Sequence, residues 1–544
     1  MRKIYLPLIF FIFILSSNSY SQFVSWHQSY NGTGNGTDVS TSLVMSSNSS
    51  KIASTVSGYT FNGSNLDIRT IQYRYSGSFN WGTTTDRGGD DAVYDLALSP
   101  DTNFIYAVGY SEDTTTGKDI ILIKYKESNG AVIWTRYYNR NGAGDDEAFS
   151  LIIDRASNIF IAGYSDEIAG TGHDFTALKY DSAGNLIWAR HHNAFNNGFD
   201  EALEVKLDST ATPYFTGRFD NGGNIDYGTV KYDSSGNFRW AKSYNGGFNG
   251  NDYAVGLGVS QPTGDIYVTG YSDTTGGFDF VTIKYDSAGQ VIWLDKHNGS
   301  GDGNDYASQI EVDHNGNIIV AGTTYGGTTN KQEYTTIKYF PNGTRDWTNV
   351  LNSTFNDNDS VTAIHINEIN CVYVTGTSKG SSNYNFVTVL YNTAGWTHWS
   401  NTVNSLNNGE DVPRSIKSIK TDATITGTRE IAGNYDYYTF LYGGIIDNVN
   451  IVSYSVPDNY SLSQNYPNPF NPSTKIRFGI QHSTSADITI YDIMGRKVEN
   501  ILQKQLTPGT YEVKWDASKY SSGVYFYRFT TPGFSDMKKM ILLK

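Results

Sequence analysis

Eight tryptophans, Trp26, Trp81, Trp134, Trp188, Trp240, Trp293, Trp347 and Trp399, recur every 52–55 residues, and this spacing restricts the fold more than any other property of the chain. A period near 50 residues, with four strand-like segments per copy, is the mark of a β-propeller assembled from four-stranded blades. One copy reads Asp252-Tyr-Ala-Val-Gly-Leu-Gly-Val, Asp265-Ile-Tyr-Val-Thr-Gly-Tyr-Ser, Asp279-Phe-Val-Thr-Ile-Lys-Tyr-Asp and Gly289-Gln-Val-Ile-Trp293. The segments are β-branched or aromatic and are bounded by Gly, Asn, Asp or Ser, as strands and turns require. Asp-Ser-Ala-Gly or Asp-Ser-Ser-Gly at Asp181, Asp233 and Asp286 predicts a tight hairpin between the third and fourth strands.

The segment that opens each copy is poorest in bulk, with Ala92, Ala148, Ala202, Ala254 and Ala307 near its start, so it is expected innermost, where blades crowd the axis. The Trp segment is then outermost. On this count Trp26 precedes any inner strand, while the last unit, Val412 to Tyr442, lacks a fourth strand. Pairing of the two would close the ring and leave no unpaired blade edge. The expected fold is all-β, an eight-bladed propeller, with seven blades as the alternative, followed by a small C-terminal β-sandwich.

With 544 residues, 38% hydrophobic and 14% aromatic, the chain has enough apolar surface to fold and enough length for more than one domain. Arg2 and Lys3, the apolar run Ile4 to Leu15 and the small residues Ser19 and Ser21 match a secretory signal peptide over residues 1–21. The apolar run is too short to span a bilayer, so the mature chain is expected to carry no transmembrane span. The net charge of -14, with no basic stripe, argues against nucleic acid as a partner. Cys371 is the one cysteine, which excludes an internal disulfide, and its strand-like surroundings point to a packed thiol.

The strings SNIFIAGYSD, GDIYVTGYSD and GNIIVAGTT, each followed by an acidic-aromatic pair, a Lys-Tyr pair and a downstream Trp, resemble the SBBP-type bacterial β-propeller repeat across residues 22–446. That resemblance implies a propeller and no common catalytic residues. The Trp period stops after Asn448, and Pro457, Pro467, Pro469 and Pro472 cluster, which predicts a linker at 447–458 and a second domain at 459–544. NYPNPFNPSTKIRF, comprising Asn465, Tyr466, Pro467, Asn468, Pro469, Phe470, Asn471, Pro472 and the strand after them, is followed by ITIYDIMGRKV with Gly495, GVYFYRF opening at Gly523, and KKMILLK. This order resembles the C-terminal sorting domain of the type IX secretion system. The resemblance implies outer-membrane secretion machinery as a partner, and release or attachment of the passenger at the cell surface.

Twelve residues after each Trp lies an acid, Asp38, Asp146, Asp200, Asp252, Asp305, Asp359 or Asp411, with Asp91 in the same role after a two-residue deletion. Eight such carboxylates are expected in a ring where the outer-to-inner connections reach the axis, and their oxygen-rich loops make calcium a candidate ligand. A group present in every blade is better explained by blade construction, with Asp accepting backbone N–H bonds in a turn. The same argument assigns the Lys124, Lys179, Lys231, Lys284 and Lys338 column, and the Tyr73, Tyr125, Tyr180, Tyr232, Tyr285, Tyr339, Tyr391 and Tyr442 column, to packing between blades. Specific binding should instead use residues that break the repeat: Arg218, Arg190 with His191 and His192, and the loop 326–333 with Lys331 and Gln332. No catalytic set can be assembled from them.

The reading is a secreted or surface-attached propeller that binds an extracellular protein or polysaccharide. The alternatives are an extracellular hydrolase or lyase using acids of the ring at the channel mouth, and a calcium-dependent adhesin.

Overall fold

The computed structural model describes residues 24–543 except 49–50, 141, 143, 167–171, 195–197, 262, 353–356, 381–382, 405–408, 444–448, 454–455, 483 and 507. The expected leader lies outside the described residues. The chain is all-β, and every sheet is four-stranded and antiparallel. Seven sheets are sequential meanders, spanning 39–85, 91–138, 146–192, 201–244, 252–297, 306–351 and 359–403. The eighth takes three strands, Asp411–Ile419, Asp422–Ile431 and Asn434–Tyr442, and adds Val24–Tyr30 as its fourth. Trp26 there stands opposite Leu441, and Tyr30 opposite Tyr437.

The core lies between sheets rather than within any one of them. Eight buried clusters each join one sheet to the next, for instance Val44, Ile68 and Trp81 of the first to Val93, Leu96 and Ile123 of the second. The eighth meets the first through Tyr437 and Trp26 against Leu43, Val56, Ile71 and Tyr73. The first strand of each sheet lies against the first strand of the next, and that of the eighth lies against that of the first. Transfer of these aromatic and β-branched faces out of water, worth about 1.5–3 kcal/mol for each fully buried side chain, therefore requires neighbouring sheets to be present together.

The periodic residues explain how neighbours register. Apart from Trp399, whose following sheet has no such hairpin, each fourth-strand Trp reaches under the hairpin between the third and fourth strands of the following sheet. Its indole N–H donates to a carbonyl there: Trp26 to Tyr75 at 2.8 Å, Trp81 to Glu127 at 2.8 Å, Trp240 to Ser287 at 3.1 Å and Trp293 to Pro341 at 3.1 Å. The third-strand Lys donates to the same turns, Lys179 to the Ser234 carbonyl at 2.8 Å and Lys231 to the Ser287 carbonyl at 2.7 Å. The next third-strand Tyr packs on the indole, with centroids 5.7 Å apart for Trp26–Tyr73 and 4.9 Å for Trp399–Tyr442. Such aromatic pairs contribute about 0.5–1.5 kcal/mol beyond their buried area.

The turn glycine closes the contact. Gly130 has φ +69°, and a Cβ there would lie 2.2 Å from the Trp81 ring. Gly77, Gly184, Gly236, Gly289, Gly343 and Gly395 repeat the arrangement over the indoles of the preceding sheets.

Residues 449–543 hold two further four-stranded sheets, which share a core that includes Ile476, Phe478 and Val513 of one and Ile488, Ile490 and Phe529 of the other. Val449–Ser453, inside the stretch 447–458 expected to be a linker, pairs with Gly509–Asp516. Only its pairing with a segment some sixty residues away makes this stretch a strand, and that pairing has no local mark in the sequence. No helix among the described residues is long and apolar enough to cross a membrane.

Gly264 has nearly the φ of Gly130, at +70°, but open space around it. Gly130→Ala should therefore melt below Gly264→Ala, the extra loss being roughly 1–3 kcal/mol from overpacking against Trp81. Equal melting temperatures for the two variants would refute the indole contact as the constraint.

Candidate functional site

Every first strand carries a β-bulge three residues after its periodic Asp. The register slips between Ser40 and Ser42, Val93 and Asp95, Ala148 and Ser150, and Ala202 and Glu204. It slips likewise between Ala254 and Gly256, Ala307 and Gln309, Val361 and Ala363, and Pro413 and Ser415. A bulge leaves one residue out of the ladder and re-aims its side chain. The eight residues so displaced are Thr41, Tyr94, Phe149, Leu203, Val255, Ser308, Thr362 and Arg414, and all eight line one cavity of about 260 Å³. First strands from every one of the eight sheets meet there.

The residue after each bulge explains the acids beside the cavity. A first strand is a sheet edge, so its outward N–H groups need acceptors. Asp95 accepts from Leu151 N at 3.0 Å, Glu204 from Leu257 N at 2.5 Å and Gln309 from Ile364 N at 2.8 Å, each on the following sheet. Asp95 also accepts from Leu96 N at 2.8 Å and Ser42 Oγ at 3.1 Å, and Glu204 pairs with Lys206.

The periodic acids sit elsewhere. All eight are buried, and none lines the cavity. Their oxygens tie the incoming loop to the sheet: Asp38 accepts from Gly32 N at 2.5 Å, Phe61 N at 2.8 Å and Thr60 Oγ1 at 2.6 Å. Asp200 accepts from Ala194 N and Asp220 N, both at 2.8 Å. Asp305 accepts from Gly299 N at 2.5 Å and Tyr325 N at 2.6 Å. Asp252 accepts from Gly246 N at 2.6 Å, Asp91 from Arg87 N at 2.8 Å and Asp146 from Arg140 N at 3.3 Å. Asp359 and Asp411 open the first strands of the seventh and eighth sheets. Burial pushes Asp146 up to about 7, and Asp200 and Asp305 up to about 6.

One acid has company of its own kind. Oxygens of Asp67, Asp86 and Asp91 lie within 4.8 Å of one another, because Asp86 stands five residues after Trp81, where other copies have Asn. Asn139 and Asn193 there donate to third-strand acids, to Asp119 at 2.6 Å and Asp174 at 2.9 Å. Burial, then Asp86, pushes Asp67 up to about 6. Three carboxylates offer oxygens of the kind that a hard cation such as calcium takes, with carbonyls and water completing its shell of six to eight.

The residues that break the repeat in sequence do not converge. Arg218 pairs with Glu201 at 3.3 Å and covers Tyr253. His191 bonds Tyr138 Oη and Thr176 Oγ1, both at 2.9 Å, and burial holds its pKa down at about 4. His192 stacks on Phe238, and Arg190 donates to the Gly236 carbonyl at 2.6 Å. Lys331 pairs with Asp357 at 2.8 Å, and Gln332 stands opposite Tyr325 in a strand pair. Cys371 is fully buried.

In the C-terminal sheets, Asn465 is buried, and its amide donates to the Pro467 carbonyl at 3.1 Å and Thr474 Oγ1 at 3.0 Å. Phe470 packs on Trp515, with centroids 5.7 Å apart, and its N–H donates to the Ile541 carbonyl at 3.0 Å. Asn468 Oδ1 accepts from Ile541 N at 2.9 Å, and the Pro472 carbonyl accepts from Ala517 N at 2.9 Å. Tyr466 is 79% exposed, Pro469 and Asn471 are exposed, Gly495 closes the turn from Asp492, and Gly523 opens the strand that holds Phe529.

Residues 464–543 match the family described as the secretion system C-terminal sorting domain, and residues 133–168 match the one described as a beta-propeller repeat. The chain thus carries a type IX sorting tail, which marks it for secretion. No curated protein matches it. Among solved structures it is similar to the periplasmic gluconolactonase PpgL of Pseudomonas aeruginosa, at 11% identity over 75% of this chain and 98% of that one, with a TM-score of 0.39. It is also similar to the polysaccharide lyase Uly1, at 10% identity over 64% and 88%, with a TM-score of 0.40. A third is regucalcin, a calcium-binding protein of Agrobacterium tumefaciens, at 11% identity over 53% and 83%, with a TM-score of 0.28.

Asp146 ionises near its ordinary value of 3.8 when unfolded and near 7 when folded, so folding takes up a proton between these values. The stability it lends is complete below the lower value and disappears as pH rises through the upper one. Asp146→Asn should therefore flatten the fall in melting temperature between about pH 5 and pH 8. A slope identical to wild type would show that this carboxyl is not protonated in the fold.

Proposed function

We propose that the chain is a secreted, surface-exposed binding protein whose eight repeat sheets are the blades of a closed eight-bladed β-propeller, recognising an extracellular polysaccharide or protein at the axis. The observation that carries this reading is the cavity lined by a bulged residue from each of the eight first strands. A repeated scaffold that aims a different side chain from each copy at one point has the form of a binding site.

The C-terminal sheets serve as a β-sandwich that directs the passenger through the type IX machinery, after removal of a leader at 1–21. The sorting match and the surface placement of Tyr466 beside the buried Asn465 and Phe470 support this. Binding is favoured over hydrolysis or lysis because the two carboxylates at the cavity, Asp95 and Glu204, are engaged with backbone N–H groups, whereas a pair of catalytic acids needs free lone pairs in contrasting environments.

Deleting Val24–Tyr30 tests closure. It removes Trp26 and bares the edge of the eighth sheet, so the melting temperature should drop by several degrees, with a loss on the order of 3–5 kcal/mol from the indole alone. Unchanged melting would sink the closed ring. Truncation before Val449 tests export: the shortened chain should accumulate in the periplasm, and its arrival at the cell surface in wild-type amounts would remove the sorting role.

A further inference from the structure

The bulged residues differ from sheet to sheet, and their order around the cavity is uneven. Four consecutive sheets, the second to the fifth, contribute Tyr94, Phe149, Leu203 and Val255. The Tyr94 and Phe149 rings lie 5.6 Å apart, and the aromatic surface continues to Tyr110 and Tyr164 at 5.8 and 5.9 Å. Tyr94 and Phe149 thus bring a pair of packed rings to one arc of a cavity whose lining is otherwise mostly polar.

The other arc is polar, but most of it is already engaged. Thr41 donates to the Val93 carbonyl at 2.6 Å and Ser308 to the Val361 carbonyl at 2.8 Å, bridging neighbouring first strands. Arg414 differs from both. It is exposed, it makes no hydrogen bond or ion pair among the described residues, and its bulge holds it out of the ladder toward the cavity. The acids nearby do not neutralise it. Asp95 and Glu204 are occupied as described, and Lys417, on the same strand, lies in the field of Asp95 and Glu311. Arg414 is the uncompensated charge of this cavity.

Building on the binding role argued above, we infer that the axial cavity takes a carboxylate carried on a single six-membered ring, with Arg414 pairing to the carboxylate and Tyr94 and Phe149 meeting the ring face. The planar guanidinium fork matches a carboxylate with two parallel N–H···O bonds, and aromatic side chains accept the apolar face of a ring. A volume of about 260 Å³ is below that of drug-sized pockets, so the cavity holds a single ring, free or as the end unit of a longer chain. A uronic acid, free or at a chain end, and an aromatic acid both satisfy this chemistry.

Calorimetric titration of the full mature chain with glucuronate, benzoate, glucose and inorganic phosphate separates the sources. Glucuronate or benzoate should bind, and the one that does identifies a sugar or an aromatic acid. Glucose and phosphate should bind at least about tenfold more weakly, a difference of 1.4 kcal/mol. Arg414→Gln should weaken the ring carboxylate by about tenfold or more while melting with wild type, and Phe149→Ala should weaken it by about fivefold. The assignment is overturned if neither ring carboxylate binds, if phosphate or glucose binds as tightly, or if Arg414→Gln binds like wild type. A failure of the closed ring would appear separately, as unchanged melting on deletion of Val24–Tyr30, whereas a wrong ligand leaves that deletion damaging and alters only the titrations.

Discussion

An indole lying on a glycine is the contact from which the rest of the repeat region follows. The Trp at the far edge of one sheet can reach the next only where the hairpin there has no side chain, and the left-handed glycine meets that need while turning the chain. The same step places a carbonyl over the indole N–H and a tyrosine against its ring. Sheets joined in this way cannot slide along one another, so the eight first strands arrive in a common register. Trp399 is the informative exception: its indole N–H finds no acceptor, because the eighth sheet is where the third and fourth strands belong to opposite ends of the repeat and no hairpin joins them.

Much of the scaffold was legible in residue order alone, because the residues responsible repeat. The Trp and Tyr columns, the Asp-Ser-x-Gly turns and the position of each first strand all announce themselves by period. Periodicity does not say which copy a residue touches. The turn glycine of one copy serves the Trp of the copy before it, and that relation exists only between sheets. The acids show the same limit. Their recurrence pointed to a construction role and also raised calcium, and only the bond lengths to Gly32, Ala194 and Gly299 reveal what each oxygen does.

The cavity residues were present in the sequence as the third position after each acid, but that column runs Thr, Tyr, Phe, Leu, Val, Ser, Thr, Arg and looks like noise beside its neighbours. What gives it meaning is the bulge, which depends on pairing register and leaves no local signature. The departures that did stand out, Arg218, His191, His192 and Lys331, turn out to be compensated nearby, by Glu201, Tyr138, Phe238 and Asp357. A departure from the repeat is informative only where nothing local answers it, and Arg414 meets that condition. Being outside the backbone ladder also frees the column to vary.

The pairing of Val24–Tyr30 with Asn434–Tyr442 also bears on the order of assembly. Ser25 accepts from Gly443 N across 418 positions, whereas each of the other seven sheets of the repeat region is complete within a continuous stretch of about fifty residues. Local hairpins form early and distant pairings late, since a long loop must first be closed. Pairing of Val24–Tyr30 is thus expected to come late, since it must wait until Asn434–Tyr442 has been made.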